Sequence, residues 1–357
     1  MTQLRTVQVL GGGSAGSSAH VRSLAAGLVA RGVQVTVCAP AELNRLYDFP
    51  DTGVHFASVP CRSDPAAVGA LRAFCAEADL VHAHGLHAAI RAALALRGRP
   101  VPLVVTWHTR AHHGGARGHL LRLLERRTAQ AAAVVLGSCS ELVDRARRYG
   151  ARDARLAPAS LPAPRGCSCA VEDRTRAELG VADRPLIMAV GSLDAHRGYE
   201  TLLDAADQWR KLDPVPLVVI AGEGPERDAL QQRIAAEDLP VRLVGRREDI
   251  SDFLAAADIA VLPSRWEARS VLAQEALRLG VPLVATAVGG VPELVGDAAE
   301  LIPYGDAPAL GDAVTRLLSD ASRRGELARA GRVQASTWQT EDETVAQVLS
   351  VYDELTR

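Results

Sequence analysis

From one end to the other, the chain alternates between short Val/Ile/Leu runs and longer segments of helical period, and this limits its fold more than any other feature. Strands buried on both faces read as continuous apolar runs, and parallel strands need a crossover helix between them. The pattern therefore predicts an α/β fold whose sheets are covered by helices on both sides. In the first half, strands are predicted at Thr6–Leu10, Val33–Cys38, Val54–Val59, Leu80–His82, Leu103–Trp107 and Ala133–Leu136. Helices are predicted at Ala15–Ala30, Ala66–Ala76, Leu86–Leu96, His119–Ala131 and Ser140–Tyr149.

The segment Leu156–Ala170 interrupts the alternation with Pro158, Pro162, Pro164 and small residues, as an interdomain linker does. The pattern then restarts, with strands predicted at Leu186–Val190, Leu217–Ala221, Val241–Val244, Ile259–Leu262 and Leu283–Thr286. Helices are expected at Arg197–Lys211, Glu226–Glu237, Ile250–Ala256 and Val271–Leu279, and Arg332–Arg357 reads as helix with no strand after it. A chain of 357 residues exceeds what one core organises. We expect a Rossmann-like domain over 1–165, a second over 166–335, and a terminal helix over 336–357 that packs back on the first. Doubly wound halves of this kind hold ligands at the carboxyl ends of their strands.

A formal net charge of −2 argues against a nucleic-acid partner held by bulk charge. Lys211 is the only lysine, so a phosphate clamp must be arginine or backbone. The six cysteines (Cys38, Cys61, Cys75, Cys139, Cys167, Cys169) are scattered, not spaced as a framework. No apolar run approaches the roughly 20 residues that cross a bilayer, and the amino terminus lacks the form of a signal peptide. The expected location is cytoplasmic. His119–Ala131, leucine-rich and basic, leaves a peripheral contact with anionic membrane open, beside the alternative of packing on its own sheet with arginines in solvent.

Chemistry concentrates between Pro263 and Val295. A strand ending at Leu262 opens into a loop with Glu267, and the next helix carries Glu275. Unpaired N–H groups in that helix's first turn, at Ser270 and Val271 after Arg269, form an anion site between the two carboxylates. A diphosphate there would leave Glu275 facing a ribose and Glu267 facing a sugar.

The ordered string Pro263-Ser264, Glu267, Glu275-Ala276, Gly280-Val281-Pro282 and Gly289-Gly290-Val291-Pro292-Glu293 resembles the signature of glycosyltransferase family 4, the glycosyl transferases group 1. The resemblance implies a GT-B architecture, two Rossmann-like doubly wound domains facing a cleft. It also implies metal-independent sugar transfer from a nucleoside diphosphate with retention of configuration. Glu267 and His108 would act at the sugar, and Glu275 would hold the ribose. Gly191, Ser192 and Arg197 stand where the family carries a glycine, an arginine and a lysine; the two cations meet the diphosphate. Arg246 would lie near the base. In the family's usual Gly-Phe-Gly loop this chain has Ala268-Arg269-Ser270, so Arg269 either adds a phosphate contact or points into solvent. Gly12 and Gly13, ahead of His20, Val21 and Leu24, would line the cleft beside the acceptor, with His84 at a neighbouring strand end serving the cleft or simply packing. The acceptor would be a small molecule, a lipid-linked sugar or a glycan.

Two other readings remain open. Gly11–Gly16 satisfies G-x-G-x-x-G, the turn of an NAD-dependent dehydrogenase, but the second strand ends Cys38-Ala39-Pro40 without the ribose-binding acid. Ser192 and the missing glycines would also suit a non-catalytic sugar-nucleotide binding protein. His82, His84, His87, His108, His112 and His113 invite a zinc site, but His82 and His84 are read as diverging to opposite strand faces. With no compact ligand spacing and no Asp-x-Asp, neither a metal nor a resident cofactor is expected.

Overall fold

The computed structural model describes residues 3–12, 15–60, 65–110, 115–160, 169–181 and 183–357. The chain divides into two compact units, residues 1–162 with 339–357, and residues 163–338.

The first unit holds seven strands, Arg5–Leu10 (β1), Gln34–Ala39 (β2), His55–Ser58 (β3), Leu80–His84 (β4), Leu103–Trp107 (β5), Val134–Gly137 (β6) and Ala154–Leu156 (β7). They form one parallel sheet in the order β3-β2-β1-β4-β5-β6-β7. Its helices are Ala15–Ala30 (α1), Ala41–Tyr47 (α2), Pro65–Phe74 (α3), Leu86–Ala95 (α4), Gly115–Ala131 (α5) and Ser140–Arg148 (α6). The second unit holds Leu186–Val190 (β8), Leu217–Ala221 (β9), Val241–Gly245 (β10), Ile259–Leu262 (β11), Leu283–Thr286 (β12) and Glu300–Ile302 (β13), all parallel, in the order β10-β9-β8-β11-β12-β13. Around them lie Cys169–Leu179 (α7), Tyr199–Trp209 (α8), Arg227–Ala236 (α9), Ile250–Ala255 (α10), Val271–Leu279 (α11), Val291–Val295 (α12), Ala307–Ser319 (α13) and Ala321–Ser336 (α14). Both orders are doubly wound, with the winding reversing between β1 and β4 and between β8 and β11.

Each sheet is buried on both faces, as the unbroken apolar runs require. In the second unit Ile187, Val218 and Val261 face one apolar cluster, and Leu186, Val219 and Ala260 face another. In the first unit the last helix, Glu341–Thr356 (α15), returns to the sheet, and Val345, Val348, Val351 and Tyr352 join a core with Leu24, Val37 and Leu136. A capping box starts it, in which the Thr340 side chain and Glu343 satisfy each other's backbone N–H groups.

Several local expectations change. The continuous helix over Arg332–Arg357 is two helices, because α14 ends at Ser336 and Thr340 caps a new start. Of the expected linker, Leu156 belongs to β7 and Ala170 to α7, while residues 161–168 lie outside the described residues. The three-residue edge strands β7 and β13 and the seven-residue α2, which buries no side chain, are too short to show a period. The basic helix α5 turns Leu121 and Leu124 only partly inward and Leu120 and Leu123 outward. Gly118, Glu125, Thr128 and Ala129 make its buried side, while Leu120 and Leu123 are 56% and 50% exposed. Glu125 explains the orientation, since its carboxylate accepts from Arg145 Nη2 at 2.5 Å on α6 and must stay inside with its partner.

The seam between α1 and α15 tolerates no added volume at Gly27, where a Cβ would sit 2.5 Å from Val345 Cγ2. Gly27→Ala should therefore lower stability by roughly 1–3 kcal/mol despite alanine's better helix propensity. Adding Val345→Ala should recover part of the loss, so that thermal denaturation of the four proteins of the cycle shows non-additivity; strict additivity would mean that the two positions do not press on each other.

Candidate functional site

In the second unit, the loops that follow β8, β9, β11 and β12 lie side by side at the carboxyl edge of the sheet. They approach so closely that glycine is obligatory at the contacts. At Gly198, φ is +72° and a Cβ would overlap the carbonyl oxygen of Pro263; at Gly289, φ is +55° and a Cβ would overlap the carbonyl oxygen of Glu267. Backbone hydrogen bonds tie the same loops, Arg265 N–H to His196 O at 2.8 Å and Gly290 N–H to Glu267 O at 2.9 Å. Arg197 and Glu267, separated by 70 residues in sequence, are thereby brought together.

Arg197 Nη1 forms an ion pair with Glu267 Oε1, and Ser264 Oγ donates to the same oxygen at 3.0 Å. Arg197 Nε donates to Ser192 Oγ at 3.4 Å. The hydroxyl at the position where a second cation was expected thus orients the remaining one. The Arg197 and Glu267 side chains are only 21% and 14% exposed, so solvent screens the pair weakly. Among the described residues, Arg197 Nη2 and Glu267 Oε2 have no hydrogen-bond partner. One donor and one acceptor of the pair are free to meet a ligand.

Next in the chain, Ser270 caps α11, its Oγ accepting from Ala273 N–H at 3.4 Å. The first-turn N–H groups of Val271 and Leu272 have no intrahelical acceptor, and Val271 is exposed. Glu275, one turn further, is half-buried and has no hydrogen-bond partner among the described residues, and burial raises its carboxyl above the ordinary range while Arg278 opposes the shift. Arg269 takes neither course anticipated for it. Its guanidinium lies 5.4 Å from the centre of the Trp338 ring, which Arg278 approaches to 5.6 Å. Burial, with repulsion from Arg278, lowers Arg269 to about 10. Arg246, after β10, is exposed; its neighbour Arg247 pairs with Asp249 and Glu178. Gly191 closes β8, and Ser192 follows it into the loop.

In the first unit the turn after β1 runs through Gly12, with φ +80°; Gly13 lies outside the described residues. The second strand of the unit carries no acid at its end, and exposed Glu42 on α2 pairs with Arg45 instead. His84 ends β4 and His108 follows β5. The expectation that His82 and His84 diverge is wrong, because residues two apart on a strand share a face. Their rings lie 4.2 Å apart, and His84 and His108 stack at 5.8 Å. His20 of α1 completes the cluster, 5.5 Å from His108. His82 bonds to Tyr352 Oη and Thr106 Oγ1, both at 2.6 Å, and His84 Nε2 to Gln8 Oε1 at 3.0 Å. Sequence reasoning missed Gln8, Thr106 and Tyr352; Gln8 and Thr106, polar residues inside otherwise apolar strands, were the available signal. His87 is not part of this hydrogen-bonded group, and His112 and His113 lie outside the described residues, as do Cys61 and Cys167. Among the described residues, no group of three or more His, Cys, Asp or Glu has metal-holding geometry, and no helix is long and apolar enough to cross a membrane.

Residues 171–334 match the family model described as glycosyl transferases group 1, and residues 15–161 match the model described as glycosyl transferase 4-like domain. Similar proteins include the alpha-D-kanosaminyltransferase of Streptomyces kanamyceticus, 34% identical over 57% of this chain and 56% of that protein. The D-inositol 3-phosphate glycosyltransferase of Xylanimonas cellulosilytica is 31% identical over 78% of this chain and 72% of its own length. Among solved structures, HepE of Anabaena in complex with UDP and glucose superposes with a TM-score of 0.86 at 20% identity, covering 99% of this chain and 100% of that one. The sucrose-phosphate synthase of Thermosynechococcus elongatus superposes with a TM-score of 0.79 at 20% identity, covering 99% of both. The fold is GT-B.

The histidine cluster has a measurable cost in acid. Burial holds His20 at about 4 and His82 and His84 well below 6.5, the latter two also by mutual repulsion within the cluster. A depressed folded pKa means that the stabilisation is complete above the unfolded value of 6.5 and is lost as pH falls. Between pH 7 and 5 His20 should remove about 2 kcal/mol of stability, and His82 and His84 act in the same direction. Urea titrations at the two pH values test this; equal stabilities would mean that the cluster is charged or hydrated in the native state.

Proposed function

The chain belongs to the glycosyl transferases group 1 family, and from that premise we propose that it transfers a sugar from a nucleoside-diphosphate sugar to an acceptor, without a metal and with retention of configuration. The observation that carries the reading is the Arg197–Glu267 pair, each partner with one free polar atom, beside the open first turn of α11. Arg197 Nη2 and the N–H groups of Val271 and Leu272 neutralise the diphosphate as it leaves, which lowers the barrier where charge develops. Glu267 Oε2 accepts from a sugar hydroxyl and faces the cationic character of the sugar carbon. Glu275, half-buried and without a hydrogen-bond partner among the described residues, accepts from the ribose hydroxyls. His108 and the Gly12 turn, both of the first unit, supply contacts to the acceptor. HepE is described with UDP, which makes uridine diphosphate a first probe.

The exposed Leu120 and Leu123, flanked by Arg117, Arg122, Arg126 and Arg127, favour a peripheral contact of α5 with anionic lipid and hence a lipid-linked acceptor. The leucines enter the acyl boundary while the arginines meet headgroup phosphates. Sedimentation with vesicles containing phosphatidylglycerol should capture the protein and phosphatidylcholine vesicles should not. Leu120→Ser with Leu123→Ser should abolish capture, and capture that persists would place the contact elsewhere.

Charge decides the binding experiments. Arg197→Ala should weaken nucleoside diphosphate about tenfold or more, and Arg197→Lys less. Glu267→Gln releases Arg197 from its counter-charge, so the nucleotide should bind as tightly as before or tighter while turnover collapses. Glu275→Gln should weaken nucleotide. Calorimetry with UDP and GDP, beside steady-state turnover with and without EDTA, reads all of these; Arg197→Ala with native affinity, or turnover lost to EDTA and restored by manganese, would refute the site as drawn.

A further inference from the structure

Six buried polar side chains run as one stripe through the first unit: Thr6, Gln8, His82, His84, Thr106 and Tyr352. Gln8 pairs in register with His82, and Thr106 with His84, so the stripe lies on one face of three adjacent strands, β1, β4 and β5. Tyr352 enters it from α15. Its bonds form a line: Thr106 Oγ1 to His82 Nε2 at 2.6 Å, His82 Nδ1 to Tyr352 Oη at 2.6 Å, Tyr352 Oη to Gln8 Nε2 at 3.0 Å, Gln8 Oε1 to His84 Nε2 at 3.0 Å, and His84 Nδ1 to His108 Nε2 at 3.5 Å.

Each of these bonds carries one proton, so the direction of one sets all the others. A phenol is a more acidic donor than an imidazole or an amide, and an imidazole nitrogen is the strongest base in the line. Tyr352 O–H therefore donates to His82 Nδ1, and neutral His82 donates from Nε2 to Thr106. The phenol oxygen accepts from Gln8 Nε2–H, which turns Gln8 Oε1 towards His84. An amide oxygen can only accept, so the proton of neutral His84 is on Nε2 and its Nδ1 is bare. His108 meets that bare nitrogen only by donating from Nε2. Its own Nδ1 is left as a lone pair, with no partner among the described residues.

We infer that Tyr352, Gln8 and His84 are positioning residues that hold His108 in the Nε2–H tautomer, so that His108 meets its ligand as the acceptor of a hydroxyl hydrogen bond. The inference rests on the reading of His108 as a contact to the acceptor. It adds a specificity: the acceptor must donate a hydroxyl proton there, and a deoxy or O-methyl acceptor at that position leaves the His108 lone pair unpaired. It also gives the C-terminal helix a role in the site that its packing alone does not.

Long-range nitrogen–proton correlation spectra of histidine-labelled protein near pH 7 read the tautomer directly. The expected result is His108 protonated at Nε2; protonation at Nδ1 means that the line runs the other way and overturns the inference. In Gln8→Met the acceptor for His84 Nε2–H is lost, so the His84 proton should move to Nδ1 and drive His108 to the Nδ1–H form. Thr6→Val removes only the side bond from Gln8 Nε2 to Thr6 Oγ1 at 3.5 Å, which lies outside the line, and His108 should stay Nε2–H. An unmoved tautomer in Gln8→Met, or a moved one in Thr6→Val, overturns the inference, and if Gln8→Met does not fold the wild-type spectrum decides. With the tautomer reversed, acceptor KM should rise about tenfold. A reversed tautomer with unchanged acceptor KM would uphold the relay and refute the acceptor contact of His108.

Discussion

Everything chemical in this protein follows from burying two all-parallel sheets on both faces. Every strand then points the same way, every connection crosses back over a helix, and the strand interiors must be apolar. Polar groups are pushed to the carboxyl edge, and they can gather only where the winding reverses and successive crossovers part to opposite sides. Those places are the ends of β1 and β4 in one unit and of β8 and β11 in the other. Gly12 and His84 stand at the first; Gly191, Ser192, Ser264 and Glu267 stand at the second.

At the second reversal, charge is balanced inside the protein before any ligand arrives. One arginine faces one carboxylate, with Ser264 and Ser192 holding the ends of the pair. A half-buried ion pair of this kind is kept in place by its hydrogen bonds more than by its Coulomb attraction, which desolvation largely offsets. The serine at the expected arginine position belongs to this arrangement. A lysine at 197 would have one point charge to share, whereas the arginine fork serves Ser192, Glu267 and a third partner from separate nitrogens.

The first unit breaks the rule that strand interiors are apolar, and does so with every member of the stripe bonded. Buried polar groups left half-satisfied would be more damaging than an apolar core, while a complete line polarises along its length and specifies a single arrangement. The completing group is Tyr352, which is 344 residues from Gln8 along the chain. The return of α15 to the first unit is therefore part of that unit's polar core as well as of its apolar one, where Val345, Val348 and Val351 pack.

Much of this was legible in the residues before any coordinates. The apolar runs located eleven of the strands to within a residue or two, because a buried parallel strand is written entirely in its own side chains. The Gly289-Gly290 turn and the spacing of Glu267 and Glu275 are equally local, since each is written in one short stretch of chain. Short edge strands such as β7 and β13 carry too few residues for a period, and the outward leucines of α5 share their period with an inward-facing helix. Which side chains meet was beyond the sequence: Arg197 with Glu267, Arg269 with Trp338, His82 with Tyr352. Those pairings depend on strand order and on where each crossover lands, and local periodicity does not record either. The sequence by itself determined the elements and the supply of reactive groups; the tertiary structure alone decided which became partners, because packing two sheets in a doubly wound order brings distant strand ends within hydrogen-bonding reach.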